Sequence, residues 1–388
     1  MASEPQCRPA LLRLPHATAA RPCAGPCWAE QTAARTGDSV IETTSSGIDA
    51  DHPLLVWGGG AIGGTLAAYW ARAGLPVRIV DIAVDHVRAC SGSGLHVHGP
   101  VDDFVQRVDA CTPDALRGRY SRIVLAVKAQ ATEAAAASLE PHLRKDGFVL
   151  SAQNGLNEIA LSRILGADRV MGCFVNFGAD WHGPGDILYG NRGAVVVGET
   201  DGSTRQRTRH MHALLKLFEP GAVLTDNIWG YLWGKLAYGS MLVATALTNE
   251  SMSENFADPR RFRVFLELGR EVMALAEARG VTPMGFDGFR PEAFQAGAPE
   301  ANARAVIAAL AAFNARTSKT HSGVWRDLAV RKRQTEVAGQ YGVLLHVARD
   351  SGLKIPTLER LLVLIGDIES GRRAQGEATF EALMEVCV

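Results

Sequence analysis

The 388 residues carry 40 Lys and Arg against 41 Asp and Glu, and 47% of them are hydrophobic. Such a length and apolar content suit two globular domains with sizeable cores, and the balanced charge excludes electrostatically driven binding to nucleic acid or anionic lipid. A small molecule is the partner expected. The seven cysteines (7, 23, 27, 90, 111, 173 and 387) are odd in number and scattered without paired metal-ligand spacing, which suits reduced thiols, a cytoplasmic address and no metal site.

Residues 1–50 are rich in Ala, Arg, Pro, Ser and Thr without sustained periodicity, and read as a disordered leader. They lack the continuous apolar stretch of a secretion signal, and Glu4, Glu30, Asp38 and Glu42 speak against an organelle transit peptide.

From Leu54 short aliphatic runs alternate with helical patterns. The strand LLVWG is followed by a helix from Ile62 to Ala73, the strand VRIVD, and a helix from about Ala83. The strand RIVLAVK, a helix from Ala131 to Leu143, the strand GFVLSAQ, a helix from Leu156 to Leu165 and the strand RVMGCFVNF come next. This alternation predicts an α/β fold, a Rossmann-type doubly wound parallel sheet covered on both faces. Residues 186–199 read as two more strands around a turn at Asn191 to Gly193, with a helix from Ser203 to Glu219.

After Leu224 the patterns are helical: Trp229 to Thr248, Arg260 to Arg279, Ala301 to Phe313, Asp327 to Ser351, and Leu358 to Ser370. The apolar run from Ile228 to Asn249 contains Lys235 and three glycines, so it reads as a buried helix and not a membrane span. The predicted organisation is a leader over 1–50, a dinucleotide-binding Rossmann domain over 51–222, and an all-helical substrate and catalytic domain over 223–388. The long apolar helices would serve a homodimer interface as readily as a single core.

Gly58, Gly60 and Gly63 give the spacing G-x-G-x-x-G directly after a predicted strand, and Ala61 and Ile62 open the following helix. In that context the first glycine makes the turn, the second admits a pyrophosphate close to the backbone, and the third lets helix and strand pack. A glycine-rich surface turn is the competing reading. Asp81 ends the second strand eighteen residues after Gly63, where a carboxylate accepts from the ribose hydroxyl of NAD and repels the 2′-phosphate of NADP. His86 and Arg88 close behind would partner such a phosphate, so NAD and NADP both stay open, with Asp81 favouring NAD.

Five segments in order resemble the ketopantoate reductase family: VWGGGAIGG, VLAVKAQ with Lys128, SAQNGLNE with Asn154 and Gly155, WGKLAYGSMLVATALT with Lys235, and THSGVWRDLAVRKRQTEV with Asp327 and Glu336. The resemblance runs from about Leu54 to the C-terminus. It implies a Rossmann domain, a helical domain, and a cleft between them in which a nicotinamide coenzyme reduces a 2-keto acid. It places the catalytic lysine at Lys235, the cofactor-side lysine and asparagine at Lys128 and Asn154, with Asn154 also reaching substrate, and the substrate-contacting glutamate at Glu336; the family's serine position is here Gly323, and the adjacent Ser322 is the candidate substrate-carboxylate contact.

The residues themselves agree at Lys235, the sole ionisable group other than tyrosine between Asp226 and Glu250. Burial lowers the pKa of an ammonium, which suits a proton donor to a developing alkoxide; a lysine snorkelling to solvent is the alternative. Lys128 and Asn154 each follow a predicted strand at its carboxyl edge, but a solvated lysine and simple Asn-Gly turn chemistry explain them equally. Glu336 lies near Arg331, Lys332 and Arg333, which permits a surface ion pair. The family's asparagines four and eight residues after the lysine are here Gly239 and Val243, so polar contacts for a hydroxylated substrate are missing. His321, Thr317 and Ser240 offer themselves to a different keto acid. The competing functions are thus a 2-dehydropantoate 2-reductase, an NAD-dependent dehydrogenase of another 2-hydroxy acid, and a dinucleotide-binding sensor.

Overall fold

A computed structural model describes residues 52–317 and 319–387. The predicted leader, with Cys7, Cys23 and Cys27, lies outside the described residues. Six strands come from the first part of the chain: β1 (Leu54–Trp57), β2 (Val77–Val80), β3 (Leu95–His98), β4 (Phe104–Gln106), β5 (Asp109–Cys111) and β6 (Tyr120–Leu125). Six more follow: β7 (Leu143–Ser151), β8 (Val170–Val175), β9 (Gly178–Gly183), β10 (Asp186–Asn191), β11 (Val195–Glu199) and β12 (Val223–Leu224).

The main sheet has the order β12-β11-β8-β7-β6-β1-β2-β5. It is parallel except that β11 runs antiparallel to β8, with β12 following β11. Strands β1 and β8 are buried along their whole length, as continuous apolar runs require when both faces are covered. In β1, Leu54 and Val56 face one core and Leu55 and Trp57 the other. The first core is closed by α1 (Ala61–Arg72), whose Trp70 indole donates to the Leu214 carbonyl at 2.7 Å, and by α5 (Gln206–Phe218). The second is closed by α3 (Thr132–Leu139) and α4 (Asn157–Leu165). After β1 the chain builds β2 on one side, through α1, and later, beyond α2 (Val84–Ser91), returns to place β6 on the other. Ligands of doubly wound sheets sit at such a switch point, outside the carboxyl ends of the strands.

Three readings need correction. The helix predicted from Ala131 to Leu143 stops at Leu139, because Pro141 lies in a short 3₁₀ turn over Glu140–His142 and β7 starts at Leu143. The strands predicted over 186–199 exist but belong to different sheets. β10 joins β3, β4 and β9 in a four-stranded sheet that the periodicity did not reveal, while β11 completes the main one. The single pattern from Asp327 to Ser351 is two helices, separated by residues 330–336, in which Lys332 takes a positive φ of 50°.

The remainder is helical: α6 (Ile228–Thr245), α7 (Met252–Ala257), α8 (Phe262–Ala278), α9 (Glu300–Asn314), α10 (Gly323–Ala329), α11 (Val337–Ser351), α12 (Pro356–Glu369) and α13 (Glu377–Met384). The short α7 and α13 carry too few turns for a periodic signal. α6 is apolar nearly all round because it packs on α8 and on the main sheet together. At its start Ile228 rests on Gly172 of β8 and Gly198 of β11, where an added Cβ would stand 2.7 and 3.1 Å from its side chain. Glu271 of α8 accepts from the Thr357 and Leu358 backbone N–H groups at 2.8 Å each, so one carboxylate satisfies the free donors that open α12. Among the described residues no helix is long and apolar enough to cross a membrane.

Glu158 of α4 is fully buried, and burial pushes its carboxyl from 4.5 up to about 7. A raised carboxyl pKa favours the fold below the unfolded value and disfavours it as pH rises through about 7. We therefore expect Glu158→Gln to flatten the loss of stability between pH 5 and pH 8, with up to roughly 3 kcal/mol recovered at pH 8. Thermal unfolding of both proteins at the two pH values measures this.

Candidate active site

The carboxyl edge of the main sheet and the helical region enclose a cleft of about 1120 Å³. Its floor begins at the glycine turn. Gly58 has a φ of +98° and lies so close to the β6 loop that a Cβ would come within 2.9 Å of the Val127 nitrogen. Gly63 supports α1 directly over the turn, where a Cβ would meet the Gly58 carbonyl oxygen at 2.0 Å. Gly60, which with Ala61 and Ile62 lines the cleft, has open space at its Cβ position. Two glycines are thus required by packing and the third faces the cavity, the arrangement by which a backbone admits a pyrophosphate.

Asp81 lies beside the turn, accepting from the Gly59 N–H at 2.8 Å and the Ala83 N–H at 2.9 Å. His86, which the sequence offered to a phosphate, is buried. Its Nε2 lies 2.7 Å from the Gly59 carbonyl and its Nδ1 3.0 Å from the Gly185 N–H. The Nδ1 therefore accepts and the Nε2 donates, leaving no free ring nitrogen. Arg88 is exposed and pairs with Asp85 at 3.0 Å.

Lys128 and Asn154 follow β6 and β7 and line the same cleft. A buried amide network holds their loops. Gln153 donates to the Val127 carbonyl at 2.9 Å and to the Thr132 hydroxyl at 2.8 Å, Thr132 donates to Asn157 at 2.9 Å, and Asn157 donates to the Asn154 carbonyl at 2.7 Å. The Lys128 ammonium pairs with Asp327 of α10 at 3.2 Å, across the cleft. Arg331 and Arg333 bind the same carboxylate at 3.1 and 2.8 Å. Burial by itself would raise the Asp327 carboxyl; Lys128, Arg331 and Arg333 hold it below the ordinary carboxylate range. Arg331 and Arg326 also grip Asp180 of β9 at 2.9 and 3.1 Å.

Lys235 projects from α6 into the cleft, donates to the Val175 carbonyl, and sits 5.2 Å from the Phe174 ring centroid. Burial lowers its pKa from 10.5 to about 8, while Glu336 is the strongest of the charges acting the other way. Glu336 precedes α11 and lines the cleft. Arg331 and Arg333 are engaged elsewhere, and among the described residues Glu336 forms no ion pair, so the surface pairing weighed from sequence does not occur. Ser322 caps α10, accepting from the Trp325 N–H at 3.2 Å, with its side chain at the cleft wall. His321 stacks on Trp325 at 3.9 Å and is not part of the lining.

The absent asparagines have a physical cause. A Cβ on Gly239 would lie 2.5 Å from the Tyr341 hydroxyl, which donates to the Leu236 carbonyl at 3.0 Å. The space that a polar side chain would use is filled by a tyrosine from α11, and Val243, Leu242 and Phe313 continue an apolar wall. Sequence reasoning missed Tyr341, the Gln153 network, Asp180, Arg326 and Lys319. Lys319 lies in a Ser- and Thr-rich loop and gives no periodic signal. Away from the cleft, His98, His182 and Asp186 bring ligand-type atoms within 4.8 Å of one another, and His98 already pairs with Asp186 at 2.8 Å.

A Rossmann-type sheet with a glycine turn, facing a helical region that supplies a half-buried lysine, is the architecture of an NAD(P)-dependent oxidoreductase. Within that class the chain belongs to the ketopantoate reductase family. Residues 54–202 match the family described as Ketopantoate reductase PanE/ApbA, and residues 227–369 match its C-terminal family. A 2-dehydropantoate 2-reductase of Mesorhizobium japonicum is 26% identical over 260 residues, 60% of this chain and 79% of that protein. A PanE/ApbA family ketopantoate reductase of Ralstonia eutropha JMP134 shares the fold with a TM-score of 0.69 at 24% identity, covering 82% of this chain and 99% of its own. D-mandelate dehydrogenase, solved as a ternary structure with NADH and anilino(oxo)acetate, gives 0.71 at 18% identity, covering 82% and 98%.

We expect Gly239→Asn to destabilise the fold by about 1–3 kcal/mol through overpacking against Tyr341. Adding Tyr341→Phe should recover part of that loss, as read from denaturant unfolding of the single and double variants.

Proposed function

We propose that the chain is an NAD(P)H-dependent reductase of a 2-keto acid, of the 2-dehydropantoate 2-reductase type, with Lys235 as general acid. The observation that carries this reading is the Lys235 ammonium, held in an apolar helix at the mouth of a glycine-turn cleft with Glu336 as its charge partner. Isolated charge in such surroundings is costly unless it is used. Gly58, Gly60, Ala61, Ile62 and Gly63 would cradle the pyrophosphate of the coenzyme at the start of α1. Lys128 and Asn154 would flank its nicotinamide half. When bound, the reduced nicotinamide supplies a hydride.

Lys235 then has two tasks at the keto oxygen. Its charge polarises the carbonyl and stabilises the alkoxide that develops, and its Nζ proton completes the alcohol. The Val175 carbonyl orients the ammonium, and the charge of Glu336 keeps it protonated closer to neutral pH. Ser322 would meet the substrate carboxylate through its hydroxyl hydrogen, since its oxygen already accepts from Trp325. Asp81 supports NADH over NADPH: its carboxylate stands where a 2′-phosphate would press, and His86 and Arg88 are both engaged.

A second reading concerns the substrate. The apolar wall at Tyr341, Val243, Leu242 and Phe313 supports a 2-keto or 2-hydroxy acid with an apolar side chain in preference to hydroxylated ketopantoate. The structural likeness to D-mandelate dehydrogenase is in keeping with that reading. Initial rates with ketopantoate and with phenylglyoxylate, each with NADH and NADPH, separate the two.

With the accepted substrate, Lys235→Ala should lower kcat by about 10²–10⁴. Because the acid form is the donor, the rate of keto-acid reduction should fall as pH rises through about 8, and alcohol oxidation should rise over the same range. The two pH profiles measured side by side test that assignment. NADH should bind more tightly than NADPH in the native protein, and Asp81→Ala should narrow the gap, as read from fluorescence titration.

A further inference from the structure

We propose that Lys319 forms an anion-binding subsite at the substrate end of the cleft and takes the carboxylate of the 2-keto acid, an inference that rests on the reductase reading above. Lys319 lies in the loop between α9 and α10 and lines the cleft with Lys235, Ser322 and Arg326. The loop is pinned at both sides. The Thr317 hydroxyl donates to the Lys319 carbonyl at 3.2 Å, and the Thr320 carbonyl accepts from the Met252 N–H at 2.9 Å.

Two acidic groups of the cleft are already committed, among them Asp180, the carboxylate whose charge acts on Lys319. Asp180 is held by Arg326 and Arg331 at 3.1 and 2.9 Å, and Asp287 accepts from Asn176 at 2.7 Å and from the Ala194 N–H at 3.0 Å. Among the described residues the Lys319 ammonium donates no hydrogen bond and makes no ion pair. Burial lowers its pKa to about 8, and the charge of Arg326 pulls in the same direction. Lys319 and Lys235 also repel one another, since Lys319 is among the charges that lower Lys235.

A half-buried ammonium that makes no ion pair among the described residues, under the charge of Arg326 and with Lys235 in the same cleft, is relieved by an anion entering it. A 2-keto acid offers two oxygen sites on adjacent carbons, one charged and one neutral. Two lysines from different elements would divide them, Lys235 serving the keto oxygen and Lys319 the carboxylate. The arrangement replaces the polar contacts missing at Gly239 and Val243 with a charge from another element of the same cleft. It makes the enzyme selective for the acid group while leaving the side-chain pocket apolar.

The test compares the preferred 2-keto acid, ketopantoate or phenylglyoxylate, with its uncharged primary amide. Native protein, Lys319→Met, Lys319→Arg and Lys235→Met are assayed with NADH, and NADH affinity is measured by fluorescence titration. In Lys319→Met the KM for the acid should rise by about 10–100-fold, and the preference for acid over amide should shrink by a similar factor. NADH affinity should stay unchanged, and Lys319→Arg should retain most of the preference. Lys235→Met should instead lose kcat for acid and amide alike. Native turnover with an unaltered acid-to-amide ratio in Lys319→Met overturns the subsite and leaves the reductase reading standing. Failure of the native protein to reduce any 2-keto acid overturns that reading, and the subsite with it.

Discussion

The seating of α6 on the sheet is the constraint from which the site follows. Ile228 reaches β8 and β11 only because Gly172 and Gly198 present no Cβ, and this contact sets the helix against the carboxyl edge of the strands. Lys235 then arrives two turns later beside the Val175 carbonyl at the end of β8. An ammonium at that position is surrounded by protein and loses hydration, which lowers its pKa toward the range where it can donate. Packing and acidity are therefore one arrangement: a helix farther from the sheet would leave the lysine in water and unperturbed.

Charge holds the opposite wall in place. Asp327 is buried and would be expensive there alone, but it gathers Lys128 from the sheet side and Arg331 and Arg333 from the bend between α10 and α11. Asp180, from the second sheet, collects Arg331 and Arg326. These pairs join elements far apart in sequence and line up around the cleft mouth. Two glycines complete the closure. Gly339 of α11 lies against the loop after Lys128, and Gly155 lies against Gln340, each too close for a side chain without displacement. The beginning of α11 is thereby held over the loops that follow β6 and β7, and Glu336 ahead of it lines the cleft with Lys235.

Several parts of this were legible in the chain itself. The strands β1 and β8 are continuous apolar runs, and β2, β6 and β7 each contain one, so the burial of these stretches is written into their composition. The second sheet was not legible, because β3, β4 and β9 are short, polar on one side and flanked by histidines and aspartates that read as loop. The break within Asp327 to Ser351 was hidden as well. The charged run at 330–336 fits a solvated helix face, and only the tertiary structure shows Lys332 at a positive φ with Arg331 and Arg333 on Asp327.

The sequence by itself determined the fold class, the glycine turn with Asp81, and Lys235 as an isolated charge in an apolar helix, since each depends on local spacing and hydrophobic period. Tertiary structure alone decided which charges are free and which are spent. It turned His86 inward onto Gly59 and Gly185, tied Lys128 to Asp327, left Glu336 facing Lys235, and filled the place of an asparagine with the Tyr341 hydroxyl. The reason is distance. Electrostatics and close packing act between atoms a few ångströms apart, and those neighbours come from segments 27 to 199 residues away along the chain.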